Sequence, residues 1–134
     1  MRREFILPSF DVSYLKTTGL AWETIKDANG SQWLLLHERP VAHPGYSHTT
    51  TTLALQIPSG YPDAQIDMAY FFPPLTRADG RQIAALATVE IDGKAFQRWS
   101  RHRTGDGPWR PGEDDLSTHL VLVDDWLERE LAKP

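Results

Sequence analysis

Apolar residues along the chain recur at two periods, and the switches between them outline the architecture. Residues 11–20, DVSYLKTTGL, place Val12 and Leu15 on one helical face, and Gly19 can close that short helix. Two extended stretches follow, AWETIKD and SQWLLLHERP. They are separated by Ala28-Asn29-Gly30, whose Asn-Gly step predicts the positive-φ residues of a tight hairpin turn. VAHPGYS gives a Pro-Gly turn, and HTTTTLALQIP alternates Thr with aliphatic residues as a half-buried strand does. Pro58-Ser59-Gly60-Tyr61-Pro62 makes the next turn and QIDMAYFF the next strand, which Pro73-Pro74 ends by removing backbone donors. LATVEI and KAFQRWS predict a further hairpin turning on Asp92-Gly93. Leu116, Leu120, Val123, Leu127 and Leu131 then recur at helical spacing, with Asp124, Glu128 and Arg129 off that stripe and Asp114 or Asp115 as its cap. The expected class is α+β. An N-terminal helix precedes an antiparallel four-stranded meander with an extra hairpin, an irregular loop, and a C-terminal helix packed on one sheet face.

A length of 134 residues predicts one domain over residues 1–134. At this size a chain buries roughly 65–70% of its unfolded surface, enough for an independent core. The absence of cysteine changes the picture most: it excludes disulfides, thiolate zinc sites and a thioester intermediate. It also fits a reducing cytoplasm. The N-terminal apolar run, Phe5-Ile6-Leu7, is too short for a signal-peptide core or a membrane span. The expectation is a cytoplasmic protein without membrane attachment. A net charge of −4 disfavours general nucleic-acid binding.

Candidate chemistry concentrates in FQRWSRHRTGDGPWRPGEDD, residues 96–115, where two tryptophans, four arginines and a histidine share a Gly- and Pro-rich segment. Trp109, flanked by Pro108 and preceding the last helix, suits a packing plug, with Pro111 and Asp114 beside it as loop anchors. Phe96 and Trp99 face opposite ways on an alternating strand, so one of them is free to remain exposed. Arg101 and Arg103, with Trp99 and His102, form a candidate partner-binding set, since Arg and Trp are enriched at interface hot spots. Internal pairing of one arginine with Asp106, Asp114 or Asp115 is also expected. Ser100 and His102 are the candidates for a nucleophile and its base, but no third group to orient the base is visible. Arg and Trp together also suit exposed bases of RNA or single-stranded DNA, a minor reading given the acidic total. His37, His43 and His48 are spaced irregularly and predict no metal site. His119 lies three residues from Leu116 and is expected to be a semi-buried, satisfied side chain. Gly105 and Gly107 are read as bends, with no phosphate-binding or dinucleotide fingerprint, so no cofactor is expected.

The order of parts resembles the ubiquitin-conjugating-enzyme (UBC) fold. Tyr61-Pro62 resembles that family's Tyr-Pro, and Trp109-Arg110-Pro111 its Trp-x-Pro before the post-catalytic helix. The ordered set YPDAQIDMAYFFPPL, FQRWSRH, WRPGEDDL and THLVLVDDWLERE is similar to the bacterial UBC-like group called prokaryotic family E. The resemblance implies a ubiquitin-like modifier and an activating-enzyme-like protein as partners, with antiviral defence as one setting for such operons. It also implies a second modifier-binding surface on the sheet face away from the helix, where Thr50, Thr52 and Ala54 are candidates. This sequence departs from the working enzymes in having no His-Pro-Asn element and no cysteine; the corresponding neighbourhood holds Ser100, Arg101 and His102. The implied function is a catalytically inactive adaptor, with an acyl adduct on Ser100 or His102 as the alternative.

Overall fold

A computed structural model describes residues 1–134. Helix α1 spans Ser9–Thr18 and stops at Gly19, whose φ of 71° is left-handed and costs glycine least. Strands β1 (Trp22–Lys26), β2 (Gln32–Pro40), β3 (Thr50–Ile57) and β4 (Ala69–Phe72) pair consecutively and antiparallel. Strands β5 (Leu86–Ile91) and β6 (Lys94–Trp99) form the extra hairpin, and α2 spans Leu116–Ala132. Strand β6 joins the hairpin to β4, giving one six-stranded sheet in the order β1-β2-β3-β4-β6-β5. This is the α+β arrangement expected from the pattern.

The Asp92-Gly93 turn forms as expected, whereas the turn before β2 and the length of β4 differ from expectation. At Asp92-Gly93 both residues have positive φ, 53° and 73°, as a two-residue hairpin turn requires. Between β1 and β2 only Gly30 does, at 83°, and Asn29 does not. There the Asp27 carboxylate accepts from the backbone N–H groups of Asn29 and Ser31 at 2.9 and 3.0 Å, so an Asx turn makes the bend. Strand β4 is shorter than QIDMAYFF because Met68, with φ 58°, turns the chain just before Ala69.

One sheet face meets the helices. Leu34, Leu36, Leu53, Leu55, Phe71 and Trp99 pack with Leu15 of α1 and with Leu116, Leu120, Val123 and Leu127 of α2. The predicted stripe of α2 is this contact, with Leu131 only partly buried at its end. Asp115, not Asp114, caps the helix, in a reciprocal capping box with Thr118.

The opposite face is also filled, by Ile25, Trp33, Leu35, Ala54, Tyr70, Ile91 and Phe96. Strand β6 pairs with β4 only over Gln97, Arg98 and Trp99, so the rest of the hairpin is free to curl across this face. Arg2 holds the hairpin tip. Its guanidinium reaches the Asp92 carboxylate at 2.8 and 2.7 Å and Glu23 of β1 at 3.0 Å. The expectation that Phe96 or Trp99 stays exposed is therefore overturned: each is 1% exposed, one on each face. The arm carrying Arg2 runs parallel to β1 and covers its outer edge, with Glu4 N–H donating to the Thr24 carbonyl at 2.8 Å.

Tyr61 ties both helices to the turn before β4. Its hydroxyl donates to the Asp11 carboxylate at 2.5 Å and accepts from the Leu116 N–H at 2.8 Å. Asp11 is 1% exposed, and burial raises its pKa against the opposing pull of that hydroxyl. Tyr61→Phe strands a buried carboxylate and a helix-start N–H together. The expected loss is about 2–4 kcal/mol of unfolding free energy, measured by urea titration, with the native fold retained in water.

Candidate functional site

The segment after β6 is positioned from its first residue. Trp99 is buried, and its indole N–H donates 2.9 Å to the Gln97 side-chain oxygen. That amide also clamps both backbone groups of Leu75, accepting from its N–H at 3.0 Å and donating to its carbonyl at 2.9 Å. Ser100 donates its backbone N–H to the Ala85 carbonyl at 3.1 Å. The exit of β6 is thus fixed on both sides.

Arg101 turns inward, to the Glu130 carboxylate at 3.1 Å and the Ala84 carbonyl at 3.1 Å, with its guanidinium 5.0 Å from the Trp99 ring centre. Glu130 is 3% exposed. It also receives Arg77 at 3.4 Å, and Arg77 in turn donates to the backbone carbonyls of Glu130 and Lys133 at the end of α2. Cationic donors there satisfy carbonyls that the helix leaves open.

Arg103 lies over the Trp109 ring at 4.9 Å and 3.9 Å from Asp114, while its Nε and Nη2 are buried without a partner. Trp109 donates 2.9 Å to the Pro62 carbonyl and lies 6.2 Å from the Tyr61 ring. Asp114 is buried and accepts from the Arg110 N–H at 2.8 Å, closing the turn that contains exposed Pro111. Tyr61, Pro62, Trp109 and Asp114 therefore meet around the base of the loop. An open cleft of about 440 Å³ separates residues 63–65 from the loop wall formed by Arg103, Thr104, Pro108 and Trp109.

His102 faces the other way. Its Nδ1 lies 3.0 Å from both carboxylate oxygens of Asp67, so the histidine does have an orienting partner. Asp67 was not legible as such, being 35 residues away in sequence. The β4–β6 register brings the two together, since pairing Ala69 with Trp99 directs the flanking segments toward each other.

Several sequence-predicted partner residues are placed elsewhere or engaged internally. Trp99 is unavailable for direct contact with a partner or a nucleic-acid base, because the sheet and α2 cover it. Arg101 and Arg103 are 15% and 13% exposed and already hold internal partners. Thr50 is exposed and Thr52 half-buried toward the far end of the sheet, on the face that also carries fully buried Ala54. They do not join the loop. Gly105 and Gly107 have no left-handed φ and open space where a side chain would be, so the bend there does not require glycine.

His119 corrects a further expectation. It is wholly buried; its Nε2–H donates to the Met68 carbonyl at 2.9 Å, and its Nδ1 has no partner. The side chain is half satisfied, not satisfied.

A curled antiparallel sheet backed by the last helix, with a Trp-x-Pro loop between them, is the arrangement of an E2-like, UBC-fold protein. Residues 7–130 match the family described as prokaryotic E2 family E, and the chain belongs to that family. Membership connects it to ubiquitin-like conjugation and, at that coarse level, to a ubiquitin-like modifier and an E1-like partner. No curated protein and no solved structure matches the chain. No helix is long and apolar enough to cross a membrane.

Burial lowers the His119 pKa to about 4, with the Met68 carbonyl opposing and Arg103 reinforcing the shift. The unfolded chain binds this proton from the ordinary histidine pKa of about 6.5 downward, whereas the native chain resists it until about 4. Stability should therefore fall on acidification through that window, by about 3 kcal/mol from this residue. Urea unfolding at stepped pH checks it, and His119→Gln should flatten that part of the profile.

Proposed function

We propose that the chain is an E2-like adaptor acting in the cytoplasm. It binds a ubiquitin-like modifier, its activating enzyme, or both, and does not itself carry the modifier as an acyl intermediate. The observation that supports this best is how the loop is used. It contains no thiol, Arg101 and Trp99 are committed to the frame, and Arg103 with Trp109 braces the loop base. What the loop leaves facing outward is Thr104 and Pro108 at the open cleft, with His102, Asp106 and Arg110 exposed elsewhere along it. Those groups suit recognition, and the fixed base limits the ordering cost of binding.

The opposite sheet face supports a partner less well, because the chain's own hairpin covers much of it. Thr50 at its margin remains accessible. Arg110→Ala should therefore weaken modifier binding more than Thr50→Ala.

The test is titration of the purified protein with the ubiquitin-like modifier from its own gene neighbourhood. Saturable binding at about tens of micromolar or tighter is expected, equivalent to roughly 6–7 kcal/mol. Absence of binding to both the modifier and the activating enzyme would overturn the adaptor reading. Incubation with modifier, activating enzyme and ATP should leave the protein's intact mass unchanged. A hydroxylamine-sensitive adduct lost in Ser100→Ala or His102→Ala would instead make it an acyl carrier.

A further inference from the structure

The two edges of the sheet differ in how they end. The N-terminal arm covers β1, whereas β5 pairs only with β6 and closes the sheet on the other side. The two-residue turn at Asp92-Gly93 fixes which backbone groups β5 spends on its neighbour. Ile91 faces Lys94 as a hydrogen-bonded pair, so Ala87, Val89 and Ile91 bond to β6. The Ser100 N–H reaching the Ala85 carbonyl at 3.1 Å continues the same alternation. The N–H and C=O groups of Leu86, Thr88 and Glu90 therefore point away from β6 and find no partner in the chain. No proline interrupts β5, and its register with β6 has no bulge, so nothing in the strand blunts this edge.

The side chains of the same three residues share one face. Thr88 lies opposite Gln97, and Thr88 and Glu90 are exposed beside an open cleft of about 420 Å³ lined by Leu86, Gln97 and Arg81. Glu90 enters no ion pair within the chain. Arg81 is 54% exposed and 3.9 Å from Asp79, a carboxylate that Arg77 already holds at 2.7 Å.

We propose that β5 is a dimerisation edge, pairing antiparallel with β5 of a second copy of this chain about a two-fold axis at Thr88. In that register Leu86 meets the partner's Glu90 and Thr88 meets its own counterpart, each pair exchanging both N–H···O bonds. Ala87 falls opposite the partner's Val89 on the other face. Two features favour a second copy over another occupant. The edge is self-complementary: an axis at Thr88 uses every free backbone group of β5, whereas an axis at Glu90 would set like charges directly opposite. Charge is also distributed to suit the two-fold, with Glu90 at one end of the strand and Arg81 beside Leu86 at the other. Antiparallel pairing carries each unpaired carboxylate to the cleft that holds the loosely paired Arg81 of the other copy. Strand addition of this kind takes affinity from main-chain bonds and specificity from such side-chain contacts. It buries little apolar surface, so the dimer is weak and depends on concentration. Pairing at β5 is independent of what the loop binds.

Sedimentation velocity of the full chain, from about 5 μM to about 1 mM, should show monomer giving way to dimer with a midpoint at about 100 μM. Amide hydrogen exchange over the same range identifies the surface. Leu86, Thr88 and Glu90 should slow as concentration rises, while Ala87 and Val89 stay slow throughout. Thr88→Pro removes an outward N–H that β6 does not use, so the fold should persist by circular dichroism while the dimer is lost. Glu90→Arg and Arg81→Glu should each weaken dimerisation about tenfold, because the pair occurs twice, and the double variant should restore it. A chain that stays monomeric at the highest concentration would overturn the proposal, as would a dimer in which those three amides stay fast. So would a double variant that dimerises no better than the single ones. Protection of the edge that appears only when the ubiquitin-like modifier is added would give the strand to that partner and end the case for self-pairing.

Discussion

The carboxylate of Glu130 is the point on which the loop and the last helix depend. Its side chain is almost wholly enclosed, and it draws in Arg77 from the segment after β4, Arg101 from the loop, and Lys133 from the residue that follows α2. A buried charge is costly unless it is paired and hydrogen-bonded, and removing one partner of such a group costs about 3–5 kcal/mol. The arrangement therefore does more than hold a helix end in place. By turning Arg101 inward it sends the next side chain, His102, outward, so the direction of the candidate site is set by a contact in the interior. Arg77 extends the same grip to the Asp79 carboxylate at 2.7 Å, which carries the restraint into the connection between β4 and β5.

The second constraint is the curl of the sheet. A meander with a helix on one side ordinarily leaves its other face to solvent. Here the short β4 lets the β5–β6 hairpin leave the plane, and Arg2 draws its tip toward β1. Trp33 and Tyr70 meet edge to face at 4.9 Å beneath it, and Phe72 lies 5.5 Å from Phe96. The face that family resemblance marks for a second modifier contact has become a small core of its own.

The regular elements were legible because their signals are local. Alternation in HTTTTLALQ, the stripe of α2 and the Asp92-Gly93 turn each declare themselves within a few residues. The site was only partly legible. Trp109 beside its prolines could be seen as a plug, and Tyr61-Pro62 as part of a family pattern. The pairing of His102 with Asp67 could not be seen, because it arises where two distant segments are laid side by side by the β4–β6 register. The same holds for Glu130 on α2, whose partners Arg77 and Arg101 lie 53 and 29 residues away in sequence. The burial of both Phe96 and Trp99 defeated the alternation rule for a similar reason: that rule assigns residues to faces but does not say whether each face is covered.

The loop tip has a different standing from its base. Neither glycine there sits in a conformation that forbids a side chain, and added atoms would meet nothing. Sequence change at Gly105 or Gly107 is thus decoupled from the stability of the frame beneath. Side chains can therefore be introduced at either position, and the surface the tip presents altered by ordinary point substitution, without first acquiring a compensating change elsewhere.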